Sequence, residues 1–179
     1  MLIKPGCVYH VQYPGAWNTW SEMGGVQAPG YQLGPPTNLE FRSLVVNHIS
    51  GDARRHSPFV SLFMSENDAI NWAVEWSARH MGQPATLLTV ETASLERLYS
   101  LKELMEGLEI HTSGPPARYD KEYLVLHQIP AAGILQSRTI TGSSNLIWPR
   151  SNGEFEAFAL LCTTADCAPR ELEVPLRRC

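Results

Sequence analysis

The sequence predicts an α+β fold built on largely antiparallel sheets. Strand-like and helix-like segments are mixed without the strict strand–helix–strand alternation that produces a parallel sheet. The helical segments fall early and the last strand-like segments cluster late. Neither common phosphate loop, G-x-G-x-x-G or G-x-x-x-x-G-K-[ST], occurs to mark a doubly wound nucleotide fold. The 179 residues fit a single domain over residues 1–179, long enough to bury a sizeable core.

Each element has its own local reason. Residues 7–13, CVYHVQY, carry the aromatic and β-branched content of a strand. Residues 14–36 are crowded with Gly and Pro and read as one long irregular loop. Residues 37–50, TNLEFRSLVVNHIS, predict a helix with Thr37 or Asn38 as its cap. After a turn, PFVSLF at 58–63 predicts an apolar strand.

The clearest helix follows over residues 65–82. Ser65 and Asp68 give it a start resembling a capping box, Ala69, Ile70, Ala73, Val74 and Ser77 give it one face, and Gly82 stops it. Trp72 and Trp76 read as packing residues of this helix. ATLLTVET at 85–92 is a strand and residues 93–108 read as helical, with Glu103, Glu106 and Glu109 on a solvated face. A loop over 109–120 leads into a strand within KEYLVLHQIP at 121–130. GILQSRTIT and EFEAFALLCTT complete about six strands.

Composition narrows the function classes. Hydrophobic residues make up 44% and charged residues 18%, as in a folded globular chain. The net charge is −4 and no run of five basic residues occurs, which argues against a dedicated nucleic-acid surface. No window approaches the roughly 20 apolar residues of a membrane helix. The N-terminal apolar stretch is broken by Lys4, Pro5 and Gly6, unlike a signal peptide, so a soluble, cytoplasmic or otherwise intracellular chain is expected, with secretion as a trimmed effector or toxin left open. Cys7, Cys162, Cys167 and Cys179 form no C-x-x-C pair and have no histidine at ligand spacing, so zinc is not expected and free thiols are. No G-x-S-x-G elbow supports serine hydrolysis.

Three short pieces remain. His10 sits inside a strand in VYHV, Ser61 sits in the apolar FVSLF that runs into a capped helix, and Glu122 opens a strand in YDKEYLVLHQIP. Singly, each residue type is more often structural than catalytic. Together, in this order, they resemble the motifs of the ADP-ribosyltransferase superfamily over about residues 7–140. VYHV resembles the superfamily's aromatic followed by Arg or His on an early strand. FVSLF resembles its aromatic-x-Ser-[Ser/Thr]-Ser, with Leu62 and Phe63 where the second and third members of the triplet stand. DKEYLVLHQIP resembles its [Gln/Glu]-x-Glu strand with an Ile-Pro tail, with Asp120 in place of the first Gln or Glu.

The resemblance implies a split core of two small, mainly antiparallel sheets with flanking helices, and NAD as co-substrate without a metal. It implies Glu122 as electrostatic catalyst for cleavage of the nicotinamide–ribose bond, Ser61 as ribose positioner, and His10 as NAD anchor on the adenosine side. The backbone at Val11 would take the nicotinamide carboxamide, and Asp120 would help select the acceptor. Tyr9, Phe63, Trp72, Trp17, Trp20 and Tyr31 are all open as the ring that stacks on nicotinamide. A carboxylate beside the ribose suits this chemistry because bond cleavage builds positive charge there, and at a strand end it needs no deep burial. The resemblance implies a mono-ADP-ribosyltransferase with an unidentified protein, nucleic-acid or small-molecule acceptor. An NAD glycohydrolase, or a non-catalytic protein- or nucleotide-binding module, are the alternatives.

Overall fold

Every strand pairing among the described residues is antiparallel. The computed structural model describes residues 5–31, 36–50, 56–111 and 119–142. In chain order the elements are β1 (Cys7–Gln12), β2 (Thr19–Ser21), β3 (Gly25–Gln27), α1 (Asn38–Ser50), β4 (Phe59–Phe63), α2 (Glu66–Arg79), β5 (Ala85–Glu91), β6 (Leu98–Ser100), α3 (Leu101–Gly107), β7 (Glu122–Leu126), β8 (Gln128–Ile129) and β9 (Ile134–Ile140). A six-stranded sheet has the order β6-β7-β4-β1-β5-β9, and a three-stranded sheet the order β2-β3-β8.

Side-chain alternation along the strands divides the core into three parts. Between the sheets, Val8, Val60, Leu62, Leu88, Tyr123 and Val125 of the large sheet meet Val26, Ala28 and Ile129. On the other face α2 covers Val11, Phe63 and Leu87 through Ala69, Trp72, Ala73 and Trp76. The third part joins Phe59, Leu124 and Leu126 to Val45 and Ile49 of α1 and Leu101 of α3. Small sheet, large sheet and helices thus form three layers.

The helices start where their caps dictate. At α1, Thr37 N and Thr37 Oγ1 donate to Glu40 Oε2 at 2.9 and 2.8 Å, and Glu40 N donates back to Thr37 Oγ1 at 3.4 Å. At α2, Ser65 Oγ accepts from Asp68 N at 3.4 Å, and Gly82, at φ +77°, closes the far end by donating to Ser77 O at 2.8 Å. The buried stripe of α2 is Ala69, Trp72, Ala73, Trp76 and Ser77, with both tryptophans in the core and Ile70 and Val74 only partly covered.

Two expectations are corrected. The Gly/Pro-rich stretch over 14–36 is not one irregular loop, because β2 and β3 form a hairpin in it, pairing Thr19 with Gln27 and Ser21 with Gly25. Residues 93–108 are not one helix. Leu98–Ser100 is an edge strand on β7, and the Ser100 hydroxyl then caps α3, accepting from Glu103 N at 3.4 Å. The strand expected within 154–164, with Cys162, Cys167 and Cys179, lies outside the described residues; Cys7 is a free thiol in β1.

The chain passes from the large sheet to the small one at His127, whose φ of +70° is unusual for a side-chain-bearing residue. Its N–H donates to Pro58 O at 2.6 Å and its carbonyl accepts from Ala28 N at 2.8 Å, so the turn is held from both sides. β8 then pairs Ile129 with Val26. Gly25 is required at this junction: its φ is +74°, and a Cβ there would collide with the Ile129 carbonyl and lie 2.7 Å from Ala131 N. Gly25→Ala is therefore expected to destabilise the fold by on the order of 1–3 kcal/mol through backbone strain, read as a lower urea midpoint. An unchanged midpoint would refute the close packing of this hairpin.

Candidate active site

The centre of the large sheet is a seam. β4 runs in register with β7 along its whole length, and β1 does so with β5, but β1 and β4 share the single registered pair Tyr9–Phe63. Beside that pair the His10 ring spans the seam, its Nδ1 lying 3.0 Å from the Ser61 carbonyl oxygen. A carbonyl only accepts, so Nδ1 carries a proton. Nε2 lies 3.2 Å from Gln12 Oε1, and Gln12 Nε2 donates to Asn18 O at 2.9 Å, which fixes the amide. Both ring nitrogens thus face acceptors, but His10 is buried, and desolvation lowers its pKa against the raising effect of the Ser61 and Gln12 bonds. The Gln12 contact strengthens only when the ring takes a second proton.

Register places the other residues. Tyr9 pairs with Phe63, and Phe63 with Glu122, so two rings and a carboxylate form one row across β1, β4 and β7. Ser61, opposite Leu124, lies on the same face two positions along, a diagonal spacing of about 7–8 Å in such a ladder. His10 has the parity of Val8 and belongs to the opposite face. The structure therefore puts Ser61 and Glu122 on one face and brings His10 to the Ser61 backbone, not to its hydroxyl. Val11 and Phe63 are buried under α2, with Tyr9 partly buried beside them. Leu62 points the other way, into the core between the sheets.

Glu122 is 3% exposed, which corrects the expectation of a shallow carboxylate at a strand end. The chain is already held before the strand begins: Met64 N donates to Lys121 O at 2.9 Å, and Glu122 N to Tyr119 O at 3.4 Å. Asp120 is exposed and ion-paired with Lys102 at 3.3 Å, a contact of little stabilising value. Of the six aromatics left open by the sequence, Tyr9, Phe63 and Trp72 lie on the face of Glu122. Trp72 packs on Phe63 at 6.2 Å between ring centres. Trp17 and Tyr31 are largely exposed, and Trp20 packs against the core between the sheets.

A family profile described as a domain of unknown function, DUF7587, matches residues 4–142, the stretch that contains all of this geometry. The chain belongs to the DUF7587 family. No curated protein matches its sequence. Its fold is similar to that of EcPltA, with a TM-score of 0.53 at 16% identity over 82% of this chain and 90% of that one. At that identity the likeness speaks for the fold alone, and the fold of this DUF7587 domain is ADP-ribosyltransferase-like.

The sequence reading missed His48. It lies on α1, 5% exposed, with Nε2 2.8 Å from Ser61 Oγ and Nδ1 2.7 Å from Ser57 Oγ. Ser57 Oγ also accepts from Phe59 N at 3.1 Å, and the His48 ring stands edge-on to Phe59. The signal was present: position 48 falls three after Val45 and four after Leu44, on the apolar side of the helix, where a histidine needs a partner. Among the described residues no group of three or more His, Cys, Asp or Glu could hold a metal ion, and no helix is long and apolar enough to cross a membrane.

The burial of His10 has a consequence for stability. Its folded pKa lies below the ordinary value, so the unfolded chain binds the proton more readily. The contribution is complete above about pH 6.5 and declines as pH falls from there toward the lower folded value, with a slope of at most about 1.4 kcal/mol per pH unit. Urea titrations at pH 7.5 and 5.5 should show a larger loss for the wild type than for His10→Gln. Equal losses would mean that His10 is not the group being charged.

Proposed function

We propose that this DUF7587 domain is an NAD-dependent mono-ADP-ribosyltransferase, cleaving the nicotinamide–ribose bond and passing ADP-ribose to an acceptor still to be identified. The observation that carries the proposal is the placement of Ser61 and Glu122 on one face of the sheet, diagonal neighbours beside the β1–β4 seam, within an ADP-ribosyltransferase-like fold. The donor set suits the substrate. A ribose offers hydroxyls to a serine and a carboxylate, and the partly buried ring of Tyr9, backed from the core by Phe63 and Trp72, offers the apolar surface that a nicotinamide ring needs.

In the proposed reaction the bond between C1′ and the nicotinamide nitrogen breaks, and its electron pair leaves with the ring, which becomes neutral. The acceptor's lone pair forms the new bond to C1′, and the acceptor loses its proton. Positive charge builds on the ribose in between. The Glu122 carboxylate opposes that charge in a buried, low-dielectric setting, where the interaction is stronger than in water. Ser61 fixes the ribose orientation, which lowers the entropic part of the barrier. His10 holds the seam, and because its ring is buried on the opposite face it would act on the rest of the dinucleotide through the main chain it fixes, at Ser61 and Val11. Asp120, two residues upstream of the carboxylate, would lie on the acceptor side.

Incubation with NAD should release nicotinamide and leave a labelled acceptor in a mixture of candidate macromolecules. Release without label would favour hydrolysis by water on the same site. Glu122→Gln should cut release by about a hundredfold or more, the scale of removing one electrostatic stabiliser, in protein that circular dichroism shows to be folded. Near-full turnover in that variant, or no turnover together with no NAD-induced rise in wild-type melting temperature, would defeat the proposal.

A further inference from the structure

We infer that Ser57 is a positioning residue: it sets the direction of a Ser57–His48–Ser61 hydrogen-bond relay, so that the Ser61 hydroxyl accepts from His48 and turns its own proton outward, as a donor on the Glu122 face. The role assigned to that donor rests on the NAD-cleaving reading. The direction of the relay does not.

Donors and acceptors in the relay balance in one direction only. Phe59 N–H donates to Ser57 Oγ, so that oxygen already serves as an acceptor. Ser57 is buried, and among the described residues its hydroxyl has one other neighbour, His48 Nδ1 at 2.7 Å. The hydroxyl proton is satisfied only by donating to Nδ1. A neutral imidazole that accepts at Nδ1 carries its proton on Nε2, and Nε2 faces Ser61 Oγ at 2.8 Å. Ser61 Oγ therefore accepts, and its own proton is free to point elsewhere.

The reverse tautomer, with the proton on Nδ1, would make Ser57 Oγ accept twice and leave its buried hydroxyl proton without an acceptor, a costly arrangement. It would also turn the Ser61 proton back toward His48 and away from the site. A doubly protonated ring would still donate to Ser61, but it would leave the buried Ser57 proton without an acceptor at the same cost. His10 holds the Ser61 carbonyl from the other side, and the backbone of Ser61 is thereby fixed while its hydroxyl is oriented by Ser57 through His48. A serine whose proton is committed outward can donate to a ribose oxygen without first breaking a bond inside the protein.

The test uses the full chain labelled with 15N-histidine. Long-range proton–nitrogen correlation of His48 should show a protonated Nε2 and an unprotonated Nδ1 in the wild type. A wild-type ring protonated on Nδ1, alone or together with Nε2, would overturn the inference, whatever the protein does with NAD. Ser57→Ala should lose the single tautomer and lower kcat for nicotinamide release by roughly tenfold, the scale of one hydrogen bond, with little change in KM. Ser57→Thr, which keeps the hydroxyl, should restore both. A folded Ser57→Ala with wild-type kcat, or a Ser57→Thr as impaired as the alanine variant, would remove Ser57 from the positioning role. If the wild type turns over no NAD at all, the nitrogen spectrum still decides the relay, and the two failures are told apart.

Discussion

The bond from the His10 ring to the Ser61 carbonyl is the constraint around which the molecule is arranged. A sheet normally satisfies its main chain strand by strand, and a parting at its centre leaves polar groups inside a core where unmet bonds are costly. Here β1 and β4 part after one registered pair, and a side chain from one strand meets a main-chain group of the other. The halves on either side keep their own coverings: α2 lies over β1 and β5, and α1 and α3 lie over β4 and β7. The small sheet packs across the opposite face on residues of both halves, Val8 and Leu88 from one and Val60 and Val125 from the other. The halves are therefore joined by the Tyr9–Phe63 pair, by apolar contact on both faces and by one imidazole at the seam.

Buried polar groups gather around β4, one of the two strands that flank the seam. His10, His48, Ser57 and Glu122 are all buried, against the usual preference for such groups to meet water. His48 meets Ser57 and Ser61, and His10 meets Ser61, through directed hydrogen bonds, and direction is what a low-dielectric interior rewards. α1 contributes to the site through His48, a residue of its packing face, so the same helix closes the core and orients a serine. The left-handed turn at His127 serves the other end of the strand that carries Glu122, tying it to the small sheet two residues later.

Much of this was legible in the residues. Thr37 and Ser65 announced α1 and α2 because a cap acts locally, within one turn of helix. The aromatic and β-branched content of β1 and the apolar run of β4 announced strands because each is long enough to carry a composition of its own. What was not legible depends on partners far along the chain. β2, β3 and β6 are three residues each, too short for a pattern, and exist because a neighbouring strand accepts them. Glu122 takes its place against Phe63, nearly sixty residues earlier, and the contact between His48 and Ser61 joins a helix to a strand. Local composition carries no record of such bonds.

Strand parity gives the replaced serine triplet a meaning that the letters alone do not have. Leu62 faces the interior between the sheets, where an aliphatic side chain belongs and no substrate could reach it, so its exchange for a hydroxyl-bearing residue alters packing and nothing more. Phe63 stands in the row with Tyr9 and Glu122, where a ring in place of a hydroxyl reshapes the wall around the carboxylate. Two adjacent departures from one motif thus differ in kind, and only the second borders the carboxylate.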